Sequence, residues 1–249
     1  MQKWFKILIV PFLAVFLLSG ASFAIPNVNG IFVTNEYASW TDEDEVYANN
    51  YVGPGWGGQA FDVEYIGLEI INNTVYFGLQ TGFNLVSGES GYYAGDIALD
   101  VNGDKVFDYA INFAINSGIV DYTLLVAGLG SSWTTPYFTA DDDPVYGLGY
   151  TNYPLALVGG EEVNVDTWGA AYGLLDDGID LHYTLEGSFA LSLLDPNILG
   201  DKFTISWTMS CGNDVLQTTA PVPEPATMLL LGTGMIGLAG VSRRKVLKK

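Results

Sequence analysis

The feature that most constrains the fold is a series of short runs rich in β-branched and aromatic residues, separated by breaks of Gly, Asn, Asp and Pro. Runs of this kind predict short strands with tight connections, and helical periodicity is nearly absent from them. The runs "FDVEYIGLEI" and "TVYFGLQTGF" are joined at Asn72 and Asn73, a pair that suits a hairpin turn. The sequence therefore predicts an all-β fold, an antiparallel β-sandwich, with a barrel-like closure as the alternative.

The predicted strands fill one continuous stretch, residues 25–220, which we expect to form a single domain. A body of this length buries a sizeable core, and all-β domains often reach this size. The chain has one cysteine, Cys211, so an intramolecular disulfide is excluded and the thiol is expected to be buried and inert. Stability must then come from packing, with bound metal ions as a further source.

The N-terminal 24 residues have the pattern of a secretory signal peptide. "MQKWFK" carries two lysines, the apolar run "ILIVPFLAVFLL" follows, and Ser22 and Ala24 are the small residues before the expected cleavage point. This order of features is typical of signal peptides that are removed after export. We expect cleavage after Ala24, with an uncleaved membrane anchor as the alternative.

The C-terminal residues 227–242 carry no charge and are followed by a cluster of basic residues. Spanning a bilayer takes about 17 apolar residues at the least, so this run predicts a short, marginal transmembrane helix. Lys and Arg beside a span stay on the cytoplasmic side, so the late positive charge is expected to stop and orient the segment. A basic nucleic-acid-binding tail is the less favoured alternative.

The last residues, "VPEPATMLLLGTGMIGLAGVSRRK", resemble the PEP-CTERM sorting signal. Pro223, Glu224 and Pro225 match its Pro-Glu-Pro motif, and Arg243 and Arg244 match its basic end. The resemblance implies that residues 221–249 are a sorting signal that an exosortase processes, so that the protein reaches the cell surface or the extracellular matrix after a transient stay in the inner membrane. A permanent single-span anchor is the alternative.

The body also resembles a β-rich globular domain that recurs upstream of this sorting signal. The similar segments include "GDIALDVNGDKVFDYAI" and "SWTMSCGNDVLQ". A looser resemblance to carbohydrate-binding modules of the family-9 kind implies a jelly-roll or carbohydrate-binding-module-like sandwich. Together these resemblances imply a structural or carbohydrate-interacting surface protein, with extracellular polysaccharide as the expected partner in a biofilm setting.

The charge of the body limits its partners. Of the 28 acidic residues only Glu224 lies outside residues 25–220, which leaves 27 acids against Lys105 and Lys202, a formal charge of −25. Such a body repels phosphate backbones, so nucleic acid is excluded as a partner. It attracts cations, among them calcium and basic surfaces.

The stretch "GDIALDVNGDKVFD" is the strongest candidate for a metal site. Calcium takes six to eight oxygen ligands, and closely spaced acids in one turn supply several of them. The candidate ligands are Asp96, Asp100, Asn102, Asp104 and Asp108. The stretch resembles a dockerin or EF-hand loop, but Lys105 and Ile111 stand where that pattern has Gly and an acid. A strand-turn-strand calcium site is therefore expected, with a plain Asn-Gly hairpin turn as the alternative.

Two further sets of residues are candidates for ligand contacts. Asp62 and Glu64 lie two apart, so on a strand they face the same side, where they ligate a metal or sugar hydroxyls if they point inward. The alternative is an outward, solubilising role. Trp56 and Trp133 lie in Gly-rich or polar segments and are candidates for stacking on sugars, with ordinary packing as the alternative.

Catalysis is not expected from the sequence. His182 is the only histidine and lies in a strand-like run, and no nucleophile-elbow motif accompanies it. A glycosidase needs two carboxylates across a cleft, but with so many acids some pair always fits that spacing. A polysaccharide-active hydrolase of the cell surface is the alternative function.

Overall fold

The computed structural model describes residues 25–42, 50, 52, 55–137, 153–163 and 169–223. The predicted signal peptide and the predicted helix at residues 227–242 lie outside these ranges. Short 3₁₀ turns occur at Thr34–Glu36, Gly58–Phe61 and Leu191–Leu193. The strands within the described residues are β1 (Ser39–Asp42), β2 (Val63–Ile71), β3 (Thr74–Thr81), β4 (Ile97–Asp100), β5 (Tyr109–Asn116), β6 (Ile119–Val126), β7 (Ser132–Thr134), β8 (Ala156–Val158), β9 (Glu161–Val163), β10 (Gly169–Asp176), β11 (Leu181–Ala190), β12 (Lys202–Thr208) and β13 (Val215–Pro221).

These strands form two large antiparallel sheets and a small two-stranded one. The five-stranded sheet has the order β1-β2-β3-β11-β10, and the six-stranded sheet has the order β13-β12-β4-β5-β6-β9. β7 and β8 form the two-stranded sheet. Each large sheet is open, with an edge strand on either side, so the described residues do not close into a barrel. The predicted all-β class with antiparallel pairing is confirmed.

The hairpin predicted at Asn72 and Asn73 is confirmed. Both residues have a positive φ, 51° and 64°, and Ile71 pairs with Thr74 across the turn. Asn tolerates this left-handed conformation better than most residues, and the resulting turn matches the twist of the two strands. β5 and β6 are joined in the same way at Ser117 and Gly118, with φ of 52° and 80°.

The core lies between the two large sheets. Phe203, Ile205 and Trp207 alternate along β12 and are completely buried, as every second residue of a strand faces the same side. Their apolar cluster includes Phe77 and Leu79 of β3, so both sheets contribute to one core. β2 contacts β12 and β13, and β10 contacts β6, which places the sheets face to face.

The outer face of the five-stranded sheet is partly covered by residues 27–38, which we call the N-terminal strap. Gly67 and Gly78 pair across β2 and β3, and the rings of Phe32 and Tyr37 lie over them. A Cβ added at Gly78 would lie 2.6 Å from the Phe32 ring and 2.6 Å from the Tyr37 hydroxyl. The two glycines therefore form a shallow trough that only residues without a side chain can provide.

A buried carboxylate fixes the strap to the sheet. Glu186 of β11 is completely buried on the outer face, and it accepts hydrogen bonds from the backbone N–H of Asn29 (3.0 Å) and Gly30 (2.8 Å). The Tyr37 hydroxyl donates a third, at 3.0 Å. Burial raises the pKa of Glu186 despite these donors. A second glutamate, Glu69, accepts the N–H of Ala38 at 2.7 Å.

Candidate functional site

Glu64 is the centre of a polar network at one end of the five-stranded sheet. It lies at an irregularity in the β2–β3 pairing, where the register shifts between Val63 and Tyr65. Its carboxylate is completely buried. Oε1 accepts the Gln59 side-chain amide at 2.5 Å, and Oε2 accepts the Gln80 amide at 2.6 Å. The bulge thus turns an acidic side chain toward polar partners that regular alternation would not have supplied.

His182 extends this network toward solvent. It is the second residue of β11, and its Nδ1 lies 2.6 Å from Oε1 of Glu64. Its Nε2 lies 3.5 Å from Oδ2 of Asp177, which is in the connection between β10 and β11 and is 46% exposed. Burial lowers the pKa of His182, but hydrogen bonds and charge attraction from Glu64 and Asp177 raise it above its ordinary value. The arrangement favours the protonated imidazole between two carboxylates.

Asp62, the other member of this predicted pair, lies one residue before β2 and is also completely buried. Its carbonyl oxygen accepts the Thr81 hydroxyl at 2.5 Å and the N–H of Gly82 at 2.9 Å. The solubilising role that the sequence left open for Asp62 and Glu64 is therefore wrong, because neither side chain reaches solvent. The ligand-binding interpretation stays a prediction.

The predicted calcium stretch forms a compact turn after β4. Oδ1 of Asp100 accepts the N–H of Asn102 at 3.1 Å and of Gly103 at 2.7 Å, and Oδ2 accepts that of Lys105 at 2.9 Å. Asn102 and Asp104 each accept the N–H two residues on, at 2.8 Å. Successive Asx turns of this kind shape the loop.

The remaining candidate ligands lie on either side of this turn. Asp108 accepts the N–H of Val101 at 3.0 Å, and its pKa is raised by burial and by the charges of Asp104 and Asp100. Asp96 directly precedes β4, whereas Asp100 ends it, so the two residues are about 13 Å apart along the strand. Its carboxylate instead accepts the Asn112 amide and the N–H of Leu157, both at 2.8 Å.

Four of the five predicted ligands, all except Asp96, thus lie on or beside one turn. Within the described residues, no group of three or more His, Cys, Asp or Glu side chains has an arrangement that would hold a metal ion. The lysines of the body lie at this same turn: Lys105 is part of it, and a Cβ at Gly103 would lie 3.2 Å from the Lys202 side chain. Calcium binding stays a prediction.

The two tryptophans predicted to stack on sugars differ in exposure. Trp56 is 47% exposed, and its carbonyl oxygen accepts the side-chain amide of Asn213. Trp133 of β7 is half-buried, donates its indole N–H to the carbonyl of Phe107 at 3.1 Å and packs edge-on against that ring. Sugar stacking by either residue stays a prediction.

Several functional candidates were missed from the sequence. Gln59, Gln80 and Asp177 surround Glu64 and His182 in space, but they come from a 3₁₀ turn, from β3 and from a loop. Gln80 and His182 are polar residues within otherwise apolar strand patterns, and this was the one indication in the sequence that they belong to a site. Their convergence on Glu64 depends on the order of strands in the sheet, which no local pattern encodes.

The sorting motif begins where the folded body ends. β13 terminates at Pro221, and Val222 still donates its N–H to the carbonyl of Asp201 at 3.0 Å. Pro223 is exposed, whereas Glu224, Pro225, Arg243 and Arg244 lie outside the described residues. No helix within the described ranges has the length and apolar character needed to cross a membrane.

Comparison with known protein families identifies the C-terminal segment. Residues 221–245 match a family model described as the PEP-CTERM protein-sorting motif, which covers 25 of the 249 residues. No curated protein and no solved structure matches the chain. The match confirms the resemblance found in the sequence and implies export to the surface with processing by an exosortase. The chain therefore carries a PEP-CTERM sorting motif, which indicates an exported surface protein that an exosortase sorts.

Proposed function

We propose that the protein is a structural or carbohydrate-interacting component of the cell surface or extracellular matrix. Its body is a β-sandwich of jelly-roll or carbohydrate-binding-module-like form, and it binds rather than catalyses. The observation that carries this proposal is that Pro221 is both the last residue of β13 and the first residue of the matched sorting motif. The sorting motif is thus joined directly to a folded, strongly acidic body, as expected of a cargo that is displayed outside the cell.

In this proposal the C-terminal segment acts only during delivery. Residues 227–242 hold the exported protein in the inner membrane, with the basic cluster on the cytoplasmic side. The exosortase then acts near Pro223, Glu224 and Pro225. Because Val222 is still bonded to Asp201, the exposed Pro223 is the first residue at which an enzyme could engage the chain without opening the sheet.

The test is the location of a chain that ends at Pro223, compared with the full-length chain in the producing cells. This truncation keeps β13 and the Val222 hydrogen bond, so the body still folds. We expect surface display of the full chain and loss of that display in the truncated one, measured by protease shaving and immunodetection. A matched variant keeps the chain length and changes Pro223, Glu224 and Pro225 to Ala; it should accumulate unprocessed. Normal display of the truncated chain would contradict the proposal.

We also propose that calcium stabilises the turn after β4. The support is that Asp100, Asn102, Asp104 and Asp108 lie on or beside this turn, and that burial, together with the charges of Asp104 and Asp100, raises the pKa of Asp108. A cation would relieve this repulsion and supply the hard acid that carboxylate oxygens prefer. Asp96 is not part of this set.

Calcium titration tests this proposal. We expect millimolar calcium to raise the thermal midpoint of the protein, because a ligand at 100 times its Kd adds about 2.7 kcal/mol of stability. Asp104→Asn keeps the Asx turn but removes a charge, so it should lose most of the shift. Asp121→Asn, at an exposed position on β6, is the matched control and should keep it. An unchanged midpoint in the unmodified protein would rule out a calcium site.

A further inference from the structure

A row of aromatic rings crosses the outer face of the five-stranded sheet. Tyr37 stacks on Phe32 with ring centroids 5.1 Å apart, and Phe32 stacks on Tyr65 at 5.8 Å. Trp40 continues the row, 6.5 Å from Tyr65. The first two rings are buried, Tyr65 is half-buried and Trp40 is 44% exposed. The row therefore begins with two buried rings of the strap and ends with two rings that reach solvent.

The polar network around Glu64 lies directly beside these two rings. Tyr65 is the neighbour of Glu64 in the chain and the pairing partner of Gln80 across β2 and β3. Gln59, Gln80 and His182 are all half-buried, and each has one polar group bonded to Glu64. The second ring nitrogen of His182 faces the exposed carboxylate of Asp177. A glutamine amide both donates and accepts hydrogen bonds, whereas a protonated imidazole only donates them.

Both halves of this surface are held in place before any ligand arrives. The strap that carries Phe32 and leads into Trp40 is bonded to Glu186 and Glu69. Glu64 fixes the orientation of its three partners. Rigid aromatic and polar groups lose little conformational entropy when a ligand binds, which favours binding. This combination of stacking rings and planar polar side chains suits a sugar, whose C–H face is apolar and whose hydroxyls lie at its edge.

The negative charge of residues 25–220 limits which class of polysaccharide can bind. A formal charge of −25 in residues 25–220 repels a polyanion such as a uronic-acid polymer. We infer that this face binds a neutral polysaccharide, with Trp40 and Tyr65 under the sugar rings and with Gln59, Gln80 and His182 toward the hydroxyls. The inference rests on the carbohydrate-interacting part of the proposed function and adds the site and the class of glycan.

The polar part of this site contains Glu64, which the sequence suggested, but its aromatic residues differ from the two tryptophans that the sequence suggested. Trp133 uses its indole N–H within the protein, and Trp56 is exposed in a separate loop. Trp56 is the competing candidate for sugar stacking, with nearly the same exposure as Trp40 but a position outside the row formed by Tyr37, Phe32, Tyr65 and Trp40. Its variant therefore distinguishes the two candidate positions.

The test is affinity electrophoresis of the exported, purified protein through gels that contain hydroxyethyl cellulose, xylan, galactomannan or alginate. We expect retardation by at least one neutral polymer and none by alginate. Trp40→Ala should weaken that binding about twofold to tenfold, the range expected for one lost aromatic contact. Trp40→Phe should recover most of it, and Trp56→Ala should leave it unchanged. Thermal midpoints within about 4 °C of that of the unmodified protein show that all three variants fold.

The outcomes separate this inference from the proposal on which it rests. Binding to a neutral polymer that is lost in Trp56→Ala but kept in Trp40→Ala would overturn the site while carbohydrate binding stands. Binding to alginate alone would overturn the class of glycan. Failure to bind any of the four polymers would overturn this inference and leave a structural surface role, whose sorting is measured separately.

Discussion

Replacing Trp207 by Ala is expected to lower the free energy of unfolding by about 3–5 kcal/mol. Trp207 is completely buried in the shared core, and its ring packs edge-on against Phe83 with centroids 6.3 Å apart. Its indole N–H donates to the carbonyl of Gly95 at 3.0 Å. The substitution therefore opens a large cavity and also leaves a buried carbonyl without its donor, so two separate costs add.

Chemical denaturation followed by circular dichroism measures this loss. Trp40→Ala is the matched control, because it removes the same side chain from a position that is 44% exposed, and we expect it to cost about 1 kcal/mol or less. Trp207→Phe keeps most of the packing but loses the hydrogen bond, so its cost should lie between the two. Similar losses for Trp207→Ala and Trp40→Ala would show that β12 does not line the core as described.

The strands and hairpins were predictable because their information is local. The alternation of Val75, Phe77 and Leu79 gives a strand with one buried face, and Asn72 with Asn73 gives its turn. The pairing of β3 with β11 was not predictable in this way. It joins residues about a hundred positions apart, and the apolar patterns of several strands would satisfy it equally well.

The N-terminal strap could not be predicted from the sequence, for a different reason. The backbone of residues 27–38 forms no strand. Glu186, the residue that anchors the strap, has the sequence pattern of an ordinary polar residue within a strand. Only the assembled sheet shows that the outer face is covered and that this carboxylate is buried. Gly67 and Gly78 were the one local indication, because glycine inside a strand often marks a close approach of another segment.

In the candidate sites, too, the local features could be predicted from the sequence and the contacts between distant strands could not. Glu64 could be selected from the sequence, but its partners Gln80 and His182 reach it through strand order and a bulge. Asp96 and Asp100 are close in the sequence and distant in space, because an extended strand separates them. Proximity along the chain therefore predicts a shared site within a turn, as for Asp100 and Asp104, but not across a strand.

Replacing Glu186 by Ala is expected to release the N-terminal strap and to cost about 3 kcal/mol of stability. The carboxylate accepts three hydrogen bonds, from the N–H groups of Asn29 and Gly30 and from the hydroxyl of Tyr37. Each buried donor that loses its acceptor costs about 1–3 kcal/mol unless the segment moves to reach water. Because the strap lies on the surface of the sheet, it moves, and the core beneath it stays folded.

Hydrogen exchange with mass spectrometry distinguishes this local release from global unfolding. In Glu186→Ala, peptides from residues 27–38 should exchange faster by at least about tenfold, whereas peptides from β12 should keep most of their protection. Glu186→Gln keeps one acceptor oxygen and should give an intermediate rate. Glu162→Ala, at an exposed position on β9, is the control and should leave the strap unchanged. Unaltered exchange of residues 27–38 in Glu186→Ala would mean that the ring packing of Phe32 and Tyr37 alone holds the strap, so the carboxylate would not be its anchor.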